Sequence, residues 1–246
     1  MLGPLHGSVC RRGLSITTML ALTAAAAFAQ SFEFVVKKDQ FLGASNGTLV
    51  FGLQSVEYRT TDLNDARQWA HDDIKQIQVL SPTRITIKTY EDQGWLRLGA
   101  DRTFEFELTE GEVPPELVAF FWDRVTFPVV TAVLPDTAAP PGRSVPVKLR
   151  QRIRGSQGVL QLYDDRLVYV TEGAGHGRAW RPADLRTVYQ PDRHRLNIDV
   201  YEGGGDGTRT FAFDLKQPLP AGFMDAVWHW VHAASMPYIP AREASR

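Results

Sequence analysis

Ser45-Asn46-Gly47-Thr48-Leu49-Val50-Phe51 opens a stretch, running to Glu91, that the chain writes twice. Ser156 to Glu202 lies over Ser45 to Glu91 without a gap, each residue meeting its counterpart 111 positions on, as Tyr58 meets Tyr169. Gly47 falls on Gly158 and Leu49 on Leu160; Arg67 and Trp69 fall on Arg178 and Trp180, Asp73 on Asp184, and Tyr90-Glu91 on Tyr201-Glu202. A second block, Thr103 to Leu108, lies over Thr210 to Leu215 at an offset of 107, so the loop between the blocks is four residues shorter in the second copy. A tandem duplication of this length predicts two units of one architecture, each burying its own core.

Within a copy the period is mostly two. Leu49, Phe51 and Leu53 alternate with Thr48, Val50 and Gly52, the pattern of a half-buried strand. Val56 and Tyr58 continue on a hairpin partner, Ile74, Ile77 and Val79 form the next strand, and Ile85-Ile87-Thr89 and Phe104-Phe106-Leu108 alternate again. With a strand from Phe32 to Leu42, this makes about seven short antiparallel strands per copy. The period then changes. Pro114-Pro115-Glu116 is a helix entry, and Leu117, Phe121 and Val125 recur every four residues on one face. The second copy repeats this with Pro220 ahead of Phe223, Val227, Trp230 and Val231. Each helix is expected to cover the open end of a bent sheet, with Trp122 and Trp228 as matched plugs. The resulting expectation is a mainly β chain: two tandem barrels, each capped by a C-terminal α-helix.

The boundaries follow from composition. Arg11-Arg12, the apolar run Leu14 to Ala26 and Ala27-Phe28-Ala29 read as a signal peptide over 1–29, cleaved between Ala29 and Gln30 and exported by the ordinary secretory route, which predicts a periplasmic or secreted protein. Repeat 1 spans 30–133, a proline-rich linker 134–144, repeat 2 145–236, and a flexible tail 237–246. The signal takes with it Cys10, the sole cysteine, so stability must come from packing and not from disulfides. It also removes two of the 27 Lys+Arg and none of the 28 Asp+Glu. A slightly acidic balance argues against nucleic acid as a partner, and no integral membrane span is expected after cleavage.

The repeated Gly-x-Leu…Tyr…Arg-x-Trp-x-x-x-Asp-Ile/Leu, carried by Gly47, Leu49, Tyr58, Arg67, Trp69, Asp73 and Ile74 and by Gly158, Leu160, Tyr169, Arg178, Trp180, Asp184 and Leu185, resembles bacterial tandem proteins of the pleckstrin-homology-like superfamily, related to PH and GRAM modules. The resemblance covers nearly the whole mature chain. It implies seven strands in two bent sheets with a C-terminal helix, and binding of lipids, proteins or peptides in preference to catalysis.

The candidate site residues are few. Lys148, Arg150, Arg152 and Arg154 occupy alternate positions, so on a strand they would form one cationic face for an anionic lipid or polyanion; a solvated strand face guarded by charge is the alternative. Trp95 and Arg97, in the longer loop of the first copy, are candidates for partner or membrane contact, or else belong to an extended hairpin. Tyr58, Trp69, Asp73, Tyr169, Trp180 and Asp184 are structural repeat residues, the aspartates satisfying turn backbone. His229 and His232 stand three apart without a third ligand nearby, so no metal and no cofactor is predicted. Without a nucleophile elbow, cysteine nucleophile or zinc-protease helix, the leading expectation is a non-enzymatic envelope module that recognises a protein or peptide through an open sheet edge or the groove between repeats. Anionic lipid binding comes second, and a hydrolase with an interdomain site third.

Overall fold

The computed structural model describes residues 31–40, 43–93, 100–135, 139–151, 155–173, 175–202 and 207–235. The first copy contributes β1 (Phe32–Gln40), β2 (Gly43–Phe51), β3 (Ser55–Thr60), β4 (Arg67–Ala70), β5 (Ile74–Ser81), β6 (Arg84–Asp92), β7 (Asp101–Leu108) and α1 (Pro115–Trp122). A short strand, β8 (Val129–Thr131), follows. The second copy then gives β9 (Arg143–Leu149), β10 (Ser156–Leu162), β11 (Leu167–Thr171), β12 (Arg178–Trp180), β13 (Leu185–Tyr189), β14 (Arg195–Val200), β15 (Arg209–Leu215) and α2 (Phe223–Ser235). Strand neighbours run β5-β6-β7-β1-β2-β3-β4 in the first copy and β13-β14-β15-β9-β10-β11-β12 in the second. The duplication is therefore one of topology as well as of sequence.

Alternation builds two cores. Leu49, Phe51, Val56, Tyr58, Trp69, Ile85, Ile87, Phe104 and Phe106 bury the inner face of the first copy; Leu160, Leu162, Leu167, Tyr169, Trp180, Leu196, Ile198, Phe211 and Phe213 bury that of the second. Proline opens α1, where the missing N–H costs nothing. Leu117, Phe120 and Phe121 then face the first core, Phe121 meeting Phe51 edge-on at 5.2 Å. In α2 the inward residues are Phe223, Val227 and Val231, with Trp230 partly buried beside them. Trp228, expected as the plug, instead lies on the outer side of the helix, 53% exposed. Its counterpart Trp122 does pack on the first core.

The repeated glycine has a steric cause. A Cβ on Gly158 would stand 2.2 Å from the Val170 carbonyl oxygen and 2.7 Å from the Tyr169 ring; on Gly47 it would meet the Arg59 oxygen at 2.4 Å and the Tyr58 ring at 2.6 Å. Each tyrosine ring lies across its glycine and reaches back to the first residue of the motif. Tyr58 Oη sits 2.7 Å from Ser45 Oγ, and Tyr169 Oη sits 2.9 Å from Ser156 Oγ.

The copies do not form two closed barrels. Hydrogen bonding runs through a single open sheet of 15 strands, in the order β13-β14-β15-β9-β10-β11-β12-β8-β5-β6-β7-β1-β2-β3-β4. The join is β8, a strand the alternation did not announce because three residues are too few to show a period. It lies parallel to β5, with Ile77 opposite Val129 and Val79 opposite Thr131, and antiparallel to β12, with Ala179 opposite Thr131. Ala132 N–H donates to the Val79 carbonyl at 2.8 Å and Ile77 N–H to that of Pro128 at 3.3 Å.

Arg181 reinforces the seam. Its guanidinium donates to the carbonyls of Val125 (2.8 Å) and Phe127 (2.8 Å), beyond the C-terminus of α1, and to both oxygens of Asp184 (3.0 and 3.1 Å). A helix end leaves carbonyls without intrahelical partners and carries partial negative charge, so a cation from the other copy stabilises it. Asp184 is itself buried and accepts from Val129 N–H at 3.4 Å. In the first copy alanine stands where Arg181 does in the second: Asp73 accepts the Ala70 N–H at 3.0 Å, as Asp184 accepts the Arg181 N–H at 2.9 Å, but no guanidinium extends from that position. Gln76 Nε2 adds a further bond between copies, to the Tyr201 carbonyl at 2.5 Å.

Gly158→Ala is expected to destabilise the chain by about 2 kcal/mol, the scale of overpacking against backbone that cannot move aside. Urea unfolding checks this; Gly142→Ala, whose nearest new contact would be an ordinary 3.6 Å, serves as the comparison and should shift the midpoint much less.

Candidate functional site

The sheet ends on β4 at one side and β13 at the other, and among the described residues no strand pairs with the outer edge of either. Beside β4 runs a groove of about 420 Å³ lined by Glu57, Tyr58, Arg59, Leu63, Arg67 and Gln68. Leu63, 86% exposed, stands at its rim, the most exposed large hydrophobic residue among those described.

The loop carrying Leu63 is tightly built. Asp65 and Ala66 N–H groups both donate to the Asp62 carbonyl at 3.0 Å, and Asp62 Oδ1 accepts the Asn64 N–H at 3.0 Å. Arg67 Nη1 donates to the carbonyls of Asn64 and Ala66, each at 2.7 Å. From beneath, Asp65 is paired with Lys38 Nζ and accepts from Ser45 Oγ. Lys38 is only 5% exposed, its ammonium lying 5.3 Å from the centre of the Tyr58 ring and 5.4 Å from that of Phe104. A buried cation is tolerable only when paired, and here the pair fastens the loop to the core. Burial alone would raise the Asp65 carboxyl, but hydrogen bonds from Lys38 and Ser45, with the charges of Lys38 and Arg67, hold it below the ordinary aspartate value of 3.8.

The second copy lacks this network. Strand pairing puts Leu149 where Lys38 stands, since Lys38 faces Phe106 and Leu149 faces Phe213, and His176 takes the place of Asp65. Ser156 and Tyr169 keep their bond, and Arg178 repeats the loop contacts of Arg67, donating to Gly175 (2.8 Å) and Gly177 (2.7 Å) carbonyls. Arg178 also meets Glu202 at 3.1 and 3.2 Å, and Arg209 meets the same carboxylate at 3.1 Å. Burial pushes the Glu202 carboxyl up, against the opposing charges of Arg178 and Arg209. In the first copy Glu91, Glu202's counterpart, instead accepts from Trp69 Nε1 at 2.9 Å.

The residues singled out in the sequence are scattered. Tyr58, Trp69, Tyr169 and Trp180 are buried in the two cores. Lys148 is half-buried and Arg150 exposed, both on the side of β9 away from the buried Val147 and Leu149. Arg150 lies 4.0 Å from Asp214, and β9 ends at Leu149, so the strand does not carry the whole basic stripe. Arg152 and Arg154 lie outside the described residues, as do Trp95 and Arg97. His232 stacks on Trp228 with ring centres 3.8 Å apart, while His229 is exposed. Among the described residues no group of three or more His, Cys, Asp or Glu gathers as a metal would require, and no helix is long and apolar enough to cross a membrane.

Grooves lie between the copies: a small one of about 230 Å³ around Tyr90, Pro128 and Tyr201, and two larger. One, of about 750 Å³, is walled by Arg84, Lys88 and Arg209 against Glu105, Glu107 and Glu202, a balance of charge that favours neither sign of ligand. The other, of about 650 Å³, lies between α1 and the second copy and is lined by Trp122, Arg166, Arg181 and three prolines; its Arg181 is already engaged at the seam. The β4 groove differs from both in offering unpaired strand backbone together with an exposed apolar anchor.

Sequence reading passed over Lys38, Asp65 and Leu63. The signal was there in the mismatches: a lysine over leucine at an inward position, and an aspartate over histidine. No family model and no curated protein matches this chain. Among solved structures, a chain of the Spt16D Pob3N heterodimer aligns with 71% of this chain and 85% of its own length, at 10% identity and a TM-score of 0.32. So loose a likeness decides nothing about function.

Lys38→Leu, which writes the second copy's residue into the first, removes the cation beneath the half-buried Asp65 and is expected to cost about 2 kcal/mol at neutral pH. Because the folded-state pKa of Asp65 is depressed, the stability it contributes is present above the ordinary value of 3.8 and lost as pH falls through the lower folded value. The gap between native chain and variant, measured by urea unfolding from pH 7 to pH 3, should therefore narrow on acidification. An unchanged gap would place the effect elsewhere.

Proposed function

We propose that this chain is a non-enzymatic binding module of the cell envelope, exported by its N-terminal signal, which captures an extended segment of a protein partner on the β4 edge with Leu63 as anchor. Two pleckstrin-homology-like repeats form it; the repeated seven-strand order ending in a helix supports that assignment.

The observation that carries the reading is β8. Within this chain the edge equivalent to β4, that of β12, already takes an added strand: β8 meets it antiparallel, Thr131 opposite Ala179. The same backbone in the first copy is thus of a kind that accepts a strand, and among the described residues it has none. Strand addition supplies main-chain hydrogen bonds for affinity, and neighbouring side-chain pockets supply selectivity. A rigid loop presenting an apolar residue loses little entropy on binding, and the buried Lys38–Asp65 pair provides that rigidity. The partner is then a β-branched, extended peptide segment, the chemistry of Pro128-Val129-Val130-Thr131 itself.

A synthetic peptide of residues 127–133 tests this as a probe, titrated into the full chain while backbone amides are followed by NMR. Perturbation should centre on Arg67–Ala70 and Leu63 and persist at high salt, since the contact is not built on exposed charge. Leu63→Asp, at a position too exposed to matter for folding, should weaken binding at least tenfold, about 1.4 kcal/mol. Binding that ignores this substitution, or that appears only on anionic vesicles and only at low salt, would overturn the assignment.

A further inference from the structure

The tyrosines of Tyr90-Glu91 and Tyr201-Glu202 recur in both copies, yet neither ring belongs to a core: Tyr90 is 63% exposed and Tyr201 41%. A tyrosine kept for folding is buried here, as Tyr58 and Tyr169 are. The join between the copies brings the two exposed ones to a single place, where with Gln76 and Pro128 they line the groove of about 230 Å³. Lys75 and Lys88 also line it, and Asp101 already holds both, at 2.6 and 3.5 Å.

Lys88 lines the groove of about 750 Å³ as well, so the two make one cleft. Alternation puts Arg84, Thr86, Lys88 and Tyr90 on the outward face of β6, a run of about 20 Å at roughly 3.3 Å per residue. Glu107 and Glu105 of β7 stand opposite Arg84 and Thr86. From the second copy come Arg209 and the buried Glu202, joined at 3.1 Å. Each of these cations has a carboxylate in contact with it or across the strand pair, so the cleft carries no net field to draw an ion.

What it does offer is dense hydrogen bonding of both senses, from Arg, Lys and Gln donors, Glu acceptors and Thr hydroxyls that do either. β5, β6 and β7 are each paired on both sides, which leaves no open backbone for a peptide strand. Leu80 is the one large apolar side chain lining the larger part, so pockets for peptide side chains are lacking. A sugar ring suits both ends of such a cleft: its hydroxyls donate and accept, and its C–H face covers an amphipathic aromatic ring. A straight course along one strand suits an extended linkage.

We propose that this cleft binds a neutral β-1,4-linked oligosaccharide, one sugar ring lying against Tyr90 and Tyr201 and the chain running along β6 toward Arg84. The site lies on β5–β7, at the opposite end of the first copy's strand order from β4, and does not depend on what β4 binds.

Titration calorimetry of the full chain with cellohexaose and with chitohexaose tests this. At least one should bind with a Kd of about 1 mM or tighter, with little change at high salt because neither carries charge. Tyr90→Ala and Tyr201→Ala should each weaken binding about tenfold, while Tyr189→Ala, at an exposed tyrosine on β13, and Leu63→Asp should leave it unchanged. Thermal unfolding of each variant checks that the fold is intact. No binding of either hexasaccharide, binding that survives the loss of both tyrosines, or binding confined to a sulfated hexasaccharide at low salt would overturn the proposal. Perturbation of the Arg84–Tyr90 amides by the peptide of residues 127–133, with neither hexasaccharide bound, would give the cleft to a peptide instead.

Discussion

Val129, Val130 and Thr131 are all buried and make backbone contacts to two different copies of the repeat. An isolated three-residue strand has no stability of its own. Its place is imposed by what surrounds it: β5 on one side, β12 on the other, and Arg181 and Asp184 holding the turn from which it emerges. Each partner of this seam is of little use without the others. Without the Val125 and Phe127 carbonyls the largely covered Arg181 guanidinium would keep Asp184 but lose two acceptors, and without Arg181 those carbonyls would lose a charged donor. Such mutual dependence turns two similar units into one continuous sheet.

Much of this was legible in the sequence, and the reasons are physical. A half-buried strand must alternate, so Leu49-Phe51 and Phe104-Phe106-Leu108 announced themselves. A ring lying across a strand requires glycine beneath it, so Gly47 and Gly158 recurred with Tyr58 and Tyr169. The seam was not legible. Its strand is shorter than any period that could reveal it, and its key cation, Arg181, has alanine as its counterpart in the first copy. Comparing copies for likeness passes over such a residue. Trp228 misled for a related reason: alignment with Trp122 carries ancestry, whereas the extra turn of α2 and its own face decide which side meets the core.

The candidate site was likewise hidden in unlikeness. Duplicated copies begin equal, and what one keeps for folding the other keeps too. Lys38, Asp65 and Leu63 are where the first copy departs from the second, and together they build a fastened loop beside an open edge. Function in this chain is read from differences laid on a shared frame.

The seam makes the two copies one cooperative body, and differential scanning calorimetry tests this most directly. The full chain should melt in a single transition whose van't Hoff and calorimetric enthalpies agree, near 140 kcal/mol for roughly 200 folded residues at about 0.7 kcal/mol each. Arg181→Ala should split that peak. Two independent transitions in the unsubstituted chain, each carrying about half the enthalpy, would mean that the copies fold separately and that β8 does not bind them into one sheet.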